Sequence, residues 1–244
     1  MALLALALLA ALVTAVLVRR GTLRWAGACA LVAVATLSAG AIELTRDVVT
    51  DNGAARFDPT ALNWVVPHRR GWLTALATTV TDLGATTTMG AVAIASCAWL
   101  AWRRRWAESA FVASAAVGAA VIGSVLKPAV GRDRPPPLDR LVAVAHPSFP
   151  SGHTLGATAV VGALTVLVLL SPARRAVKLT VSTAAAIFVV AVGLSRLYLG
   201  VHWFTDVLAG WCLGALWLIV CLIGYRIATR ARPSGPASPR PARR

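Results

Sequence analysis

The sequence predicts an all-α fold: a polytopic membrane helix bundle of seven spans. Three observations lead there. Of 244 residues, 58% are hydrophobic and 14% charged, and the mean hydropathy is +0.73; soluble domains carry about 25% charged residues. The apolar residues fall into runs long enough to cross ~30 Å of hydrocarbon as helices. The basic residues sit in short clusters between those runs (Arg19, Arg20, Arg24; Arg103–Arg105; Arg174, Arg175, Lys178; the C-terminal tail). The net charge of +15 therefore encodes topology rather than a nucleic-acid surface, and no nucleic-acid partner is expected.

Each element follows in order. Residues 2–18 are a continuous Leu/Ala/Val run. No basic residue precedes the run, and Arg19-Arg20 stand where a signal-peptide cleavage site belongs, so an uncleaved span is expected. A second span runs from Trp25, at an interface, to Leu44. Residues 45–70 read as a polar loop of mixed charge punctuated by Asp58-Pro59 and Pro67. Trp72 to Trp102 is too long for one straight span, so Gly84 and Thr86–Thr88 predict a break, with Asp82 on its inner side as a structural residue or a site contributor. A fourth span, Trp106 to Leu126, is rich in Ala, Gly and Ser, as close helix packing in lipid favours. Spans at 152–170, 176–194 and 203–225 follow. Three units result: a transmembrane hairpin (1–44), a core (45–227) and a disordered basic cytoplasmic tail (228–244). The four cysteines lie inside apolar runs without metal-ligand spacing, so neither a disulfide nor a zinc site is expected.

Alternating the spans places fifteen basic residues and one acid, Glu108, on one side, and nine basic residues and eight acids on the other. The first side is cytoplasmic by the positive-inside rule, which puts both the 127–151 loop and the 195–206 stretch outside.

These two outer segments carry the polar chemistry. In Ser195–Asp206, a helix beginning near residue 201 would set His202 and Asp206 at i and i+4 on one face. The carboxylate would then orient a neutral imidazole as a nucleophile or base. Arg196 adds a planar cation suited to phosphate oxygens. In Lys127–Pro135, Lys127 and Arg134 can clamp an anion between prolines and a glycine. In Ser148–His153, Ser151 stands at the N-cap of the fifth span and Gly152 opens it, offering free N–H groups to the anion that His153 faces. Three cations around one small volume suit a phosphoryl group. No acidic cluster is spaced for Mg²⁺, so metal-free chemistry with no cofactor is expected.

The three segments resemble the three signature motifs of the type 2 phosphatidic acid phosphatase family, which shares its site with the vanadium-dependent haloperoxidases. Lys127, Arg134 and Pro135 match the first, Pro150 to His153 the second, and Ser195, Arg196, His202 and Asp206 the third. The resemblance spans roughly residues 70–225 and implies a six-span phosphatase core, which leaves one extra N-terminal span. It implies that His202 forms a phosphohistidine, Asp206 orients it, and His153 protonates the leaving group. Lys127, Arg134, Ser151, Gly152 and Arg196 would hold the phosphate.

The function expected is hydrolysis of a lipid phosphate monoester or pyrophosphate at the extracytoplasmic surface of the plasma membrane. Isoprenoid (undecaprenyl-type) pyrophosphate, phosphatidylglycerophosphate and phosphatidic acid are the candidates from the family. The alternatives are a haloperoxidase-type activity at the same anion site and a non-catalytic lipid-phosphate binding or transport protein. His68 and His146 match no motif.

Overall fold

Helices are the natural form for an apolar chain in lipid, because each backbone N–H finds its acceptor within its own segment. In the computed structural model, which describes residues 25–230, the helices are α1 (Trp25–Val49), α2 (Asp58–Val65), α3 (Gly71–Leu83), α4 (Thr86–Trp102), α5 (Trp106–Val130), α6 (Gly152–Leu170), α7 (Arg175–Tyr198) and α8 (Phe204–Arg230). No strand occurs among the described residues. Five of these helices are long and apolar enough to cross a membrane, and the bent pair α3/α4 raises the number to six when taken together as one span. With the bent pair counted as one, they correspond to the six spans expected after the first; the span expected at 2–18, the side chain of Trp25 and the tail beyond residue 230 lie outside the described residues.

Several boundaries differ from the sequence-based expectation. α1 continues to Val49, so the boundary expected at residue 44 falls inside a helix. Residues 45–70 are not an open loop: Asn52 caps a short turn at Gly53–Phe57, and Pro59, fixed at a helical φ, starts α2. α5 runs through Pro128 to a left-handed Gly131 (φ +62°), so Lys127 lies within the last turn of a helix rather than in the loop after it. α7 likewise runs past Ser195 and Arg196 to Tyr198. α8 runs to Arg230, three residues into the segment 228–244 expected to be disordered. In each case the apolar run ends before the helix does, because a helix carries polar residues for a further turn outside the hydrocarbon.

The centre of the bundle is α6, which packs against α4, α5, α7 and, most extensively, α8. Its buried face is Leu155, Ala157, Ala159, Val160 and Ala163. The α6–α8 contact is close because α8 presents Gly210 and Gly214 one turn apart. A Cβ at Gly210 would stand 2.8 Å from Thr154 Cβ and 2.9 Å from the Ser151 carbonyl; one at Gly214 would stand 2.7 Å from Thr158 Cβ. Small residues at this spacing let two helix backbones approach in lipid, where dispersion rather than hydrophobicity drives association. α1 lies along α8, and α3 along α7.

The break between α3 and α4 falls at Gly84–Ala85, as the glycine predicts, with a 44° bend. Thr88 Oγ1 donates to the Asp82 carbonyl at 2.7 Å, and the Ala85 N–H to the same oxygen at 3.2 Å. The bend brings Gly84 so close to Val192 of α7 that a side chain there would overlap it. The ends of α5, α6, α7 and α8 that carry the three polar segments meet at one end of the bundle; Arg103–Arg105, Arg174, Arg175 and Lys178 mark the other.

Candidate active site

The site forms where the helix-connecting backbone is pinned at several points. The loop between α5 and α6 is closed at its base by Ser148, whose hydroxyl donates to the Arg132 and Asp133 carbonyls at 3.2 and 3.0 Å. Its far part is tied to the α7–α8 connection: the Leu141 N–H donates to the Leu199 carbonyl at 3.0 Å, and Arg69 Nη2 donates to the Asp139 carbonyl at 2.8 Å. Gly200 adopts φ +69° there, and a Cβ would run into the Asp139 carbonyl. The Ser151 N–H donates to the Asp206 carbonyl at 3.1 Å, which joins the start of α6 to the start of α8.

His202 is buried in the bend just before α8, which begins at Phe204 and not at residue 201. The expected i, i+4 partnership nonetheless forms: His202 Nδ1 lies 3.2 Å from Asp206 Oδ2. Asp206, fully buried, also accepts the Trp203 N–H at 2.9 Å, so one carboxylate oxygen both caps the helix and orients the ring. With Nδ1–H donated to Asp206, the lone pair is on Nε2. That nitrogen faces Arg134, whose Nη1 stands 3.3 Å away. Burial, aided by the charges of Arg196 and Arg134, pulls the His202 pKa down to about 4 against the opposing pull of Asp206, so the ring is neutral at physiological pH.

The expected cations surround this ring. Arg134 is held by the Val201 carbonyl (2.5 Å from Nη1), the His146 carbonyl (2.6 Å from Nε) and the Pro147 carbonyl (3.3 Å from Nη2). Lys127 Nζ donates to the same Pro147 carbonyl at 2.8 Å. Arg196, buried in α7, donates from Nη1 to Thr81 Oγ1 at 2.6 Å, while its Nε has no protein partner. Ser151 occupies the N-cap position of α6, but its hydroxyl makes no capping bond; Oγ is buried without a protein partner. The expected N-cap position is thus occupied by Ser151, and its hydroxyl remains available to a ligand. Gly152 packs near Thr86 and Lys127; a Cβ would be 3.7 Å from Thr86 Oγ1 and 3.9 Å from Lys127 Cε. His153 is half-buried and lies within electrostatic reach of Arg196, His202, Arg134 and Lys127.

All eight expected residues are brought together. Asp82 is exposed and serves the α3–α4 bend through its carbonyl, while its charge acts on Arg196; its neighbour Thr81 reaches the site. His146 contributes its carbonyl, not its exposed ring, and His68 stacks on Trp64 with ring centroids 4.7 Å apart. Two further residues were not anticipated. Arg132 Nη1 donates to Asp206 Oδ1 at 2.6 Å, and its Nη2 donates to Asp58 Oδ2 at 2.6 Å. The signal for Arg132 was a third cation inside the first motif; Asp58, read from sequence as loop punctuation before Pro59, gave none.

With this geometry in place, the comparisons with known proteins agree with one another. The family model of the PAP2 superfamily matches residues 109–230, which contain all three polar segments. Over 150 residues the chain is 34% identical to phosphatidylglycerophosphatase B of Bacillus subtilis (strain 168), covering 61% of this chain and 73% of that protein. The crystal structure of the first transmembrane PAP2 type phosphatidylglycerolphosphate phosphatase, from Bacillus subtilis, is similar with a TM-score of 0.73 at 28% identity. It covers 82% of this chain and 98% of its own. Aquifex aeolicus LpxE shares the fold, with a TM-score of 0.54 at 22% identity over 68% of this chain and 95% of its own. The chain belongs to the PAP2 superfamily, as a multi-pass membrane phosphatase.

Proposed function

We propose that this protein hydrolyses a phosphate monoester or pyrophosphate of a membrane lipid on the extracytoplasmic face of the plasma membrane, through a phosphohistidine at His202. Phosphatidylglycerophosphate is the favoured substrate among the candidates, because the two Bacillus subtilis relatives are named for it. The observation that carries the reading is a cluster of donors around one neutral imidazole: Arg134 beside Nε2, with Arg196 Nε and Ser151 Oγ buried and lacking protein partners. A buried unpaired donor costs about 1–3 kcal/mol, a cost that an anion removes.

In the reaction, the lone pair on His202 Nε2 attacks phosphorus and the P–O bond to the lipid breaks. His153 gives its proton to the leaving oxygen. Lys127, Arg134 and Arg196, with Ser151 Oγ and the Gly152 N–H, hold the equatorial oxygens as charge shifts across them. Water then attacks phosphorus and passes a proton to His153 as the P–N bond breaks. Inorganic phosphate leaves, and Nε2 recovers its lone pair. Asp206 holds the tautomer throughout.

The distribution of basic residues supports the sidedness, since Arg103–Arg105 and Arg174–Lys178 lie opposite the site. The test is phosphate release from a panel of lipid phosphates by detergent-solubilised wild type and His202→Ala. Turnover of at least one lipid is expected and should disappear in the variant. Equal turnover by both would overturn the mechanism.

A further inference from the structure

Asp206 is shared. Its Oδ2 serves His202 and the Trp203 N–H, while its Oδ1 is bound by Arg132 at 2.6 Å. Arg132 is itself divided: Nη1 also reaches Thr205 Oγ1 at 2.7 Å, and Nη2 reaches Asp58 Oδ2 at 2.6 Å. Asp58 completes the circuit by accepting from the Thr205 hydroxyl at 2.5 Å and, on Oδ1, from the Thr205 N–H at 2.9 Å. Asp58, Thr205 and Asp206 are 2%, 0% and 0% exposed, and the Arg132 side chain 14%. The guanidinium lies over the Trp203 ring, 5.6 Å from its centroid. Four polar side chains in which one guanidinium bridges two buried carboxylates, closed off by an indole, form a specified network rather than a solvated surface pair.

Placing an arginine on the far oxygen of a carboxylate draws electron density away from the near oxygen, which becomes a weaker acceptor for the imidazole. Placing a second carboxylate on that arginine partly reverses the effect. Resting on the phosphatase reading above, we propose that Asp58 and Arg132 are positioning residues that set the basicity of His202 in opposite directions through Asp206. Arg132 withdraws the Asp206 charge from the ring and Asp58 restores part of it. Asp58 also fastens α2 to the first turn of α8, so the segment between α1 and α3 becomes part of the catalytic apparatus without touching the substrate.

The other ionisable groups facing His202 are Arg134 from the α5–α6 loop, Arg196 from α7, His153 from α6 and, through Asp206, Lys127 from α5. They are unchanged in the variants below, so shifts report the Asp58–Arg132 arm.

The experiment follows kcat/KM against pH for wild type, Arg132→Gln, Arg132→Lys, Asp58→Asn and the double variant Asp58→Asn/Arg132→Gln. Each is expressed as a ratio to wild type, in which substrate ionisation cancels. Arg132→Gln should move the acid limb up by about one pH unit or more, the scale on which an adjacent arginine shifts a carboxylate. Asp58→Asn should move it down, Arg132→Lys should leave it near wild type, and the double variant should fall between the two singles. In parallel, the ¹³Cε1 resonance of His202, assigned by its loss in His202→Ala, should titrate with the same order of midpoints. A uniform drop in kcat/KM with no displacement of the limb or the resonance, in Arg132→Gln and Asp58→Asn alike, would reduce the pair to a structural tie and overturn the proposal. Should the wild type hydrolyse no lipid phosphate, the phosphatase reading fails, and the resonance order still decides this one.

Discussion

The Arg134 guanidinium stands 3.3 Å from Nε2 of His202, the nitrogen left free by the Nδ1 contact with Asp206. A cation beside a lone pair keeps the ring neutral, and in the proposed reaction it would meet the equatorial phosphate oxygens. Arg134 is also bound to three backbone carbonyls, so it is held in position before a ligand arrives. Arg134→Ala is expected to lower kcat by about 10²–10³, the cost of losing one preorganised donor to a developing oxyanion. Arg134→Lys, which keeps charge but cannot span these carbonyls, should recover only part. Phosphate release under saturating lipid measures both.

The pH dependence follows from the depressed basicity of His202. A histidine whose pKa is about 4 when folded and about 6.5 when unfolded binds fewer protons folded than unfolded between those values. Folding stability therefore rises with pH across that window and falls as the medium is acidified through it. The melting temperature in detergent should drop between pH 6.5 and 4, and less steeply in His202→Asn. Activity limited by neutral His202 should not fall on its account until the pH approaches about 4.

Among the described residues the Arg196 guanidinium makes one hydrogen bond, to Thr81 at 2.6 Å across the bundle. Thr81→Val preserves shape and removes that acceptor. The guanidinium should then sample more orientations, with a loss of about tenfold in kcat/KM, near the ~1.4 kcal/mol of one hydrogen bond to a charged group. Lipid-phosphate kinetics on Thr81→Val and Thr81→Ser check it, the serine variant keeping the acceptor and the rate.

The glycine ridge of α8 gives a packing prediction. Gly210→Ala puts a methyl 2.9 Å from the Ser151 carbonyl and 2.8 Å from Thr154. Overpacking of this kind costs about 1–3 kcal/mol, and here the strain falls on the start of α6, so activity should fall further than stability. Gly224→Ala, with nothing within 4 Å of the added methyl, is the matched control and should change neither. Thermal unfolding in detergent and phosphate release, run side by side, separate the two effects.

Much of this was legible in the sequence because chemistry and punctuation were local. Gly84 announced the bend, and Pro150-Ser151 announced the start of α6. The spacing of His202 and Asp206 announced their contact, even though His202 precedes the helix and is not inside it. The span ends were less legible: Lys127, Ser195 and Arg196 lie within helices whose apolar runs had already ended. Asp58 and Arg132 were missed for a different reason. Their pairing joins positions 74 residues apart, and a charge in a polar stretch carries no local mark of burial. Nothing in a single sequence distinguishes Asp58 from Asp51, which is exposed.

The 3.1 Å bond from the Ser151 N–H to the Asp206 carbonyl fuses the helix ends that bear Ser151, Gly152 and His153 to the one that steers His202. The exposed stretch 141–143 at the tip of the α5–α6 loop stands outside that splint. Sequence drift at this rim can thus proceed while the contact between Asp206 and His202 stays in calibration.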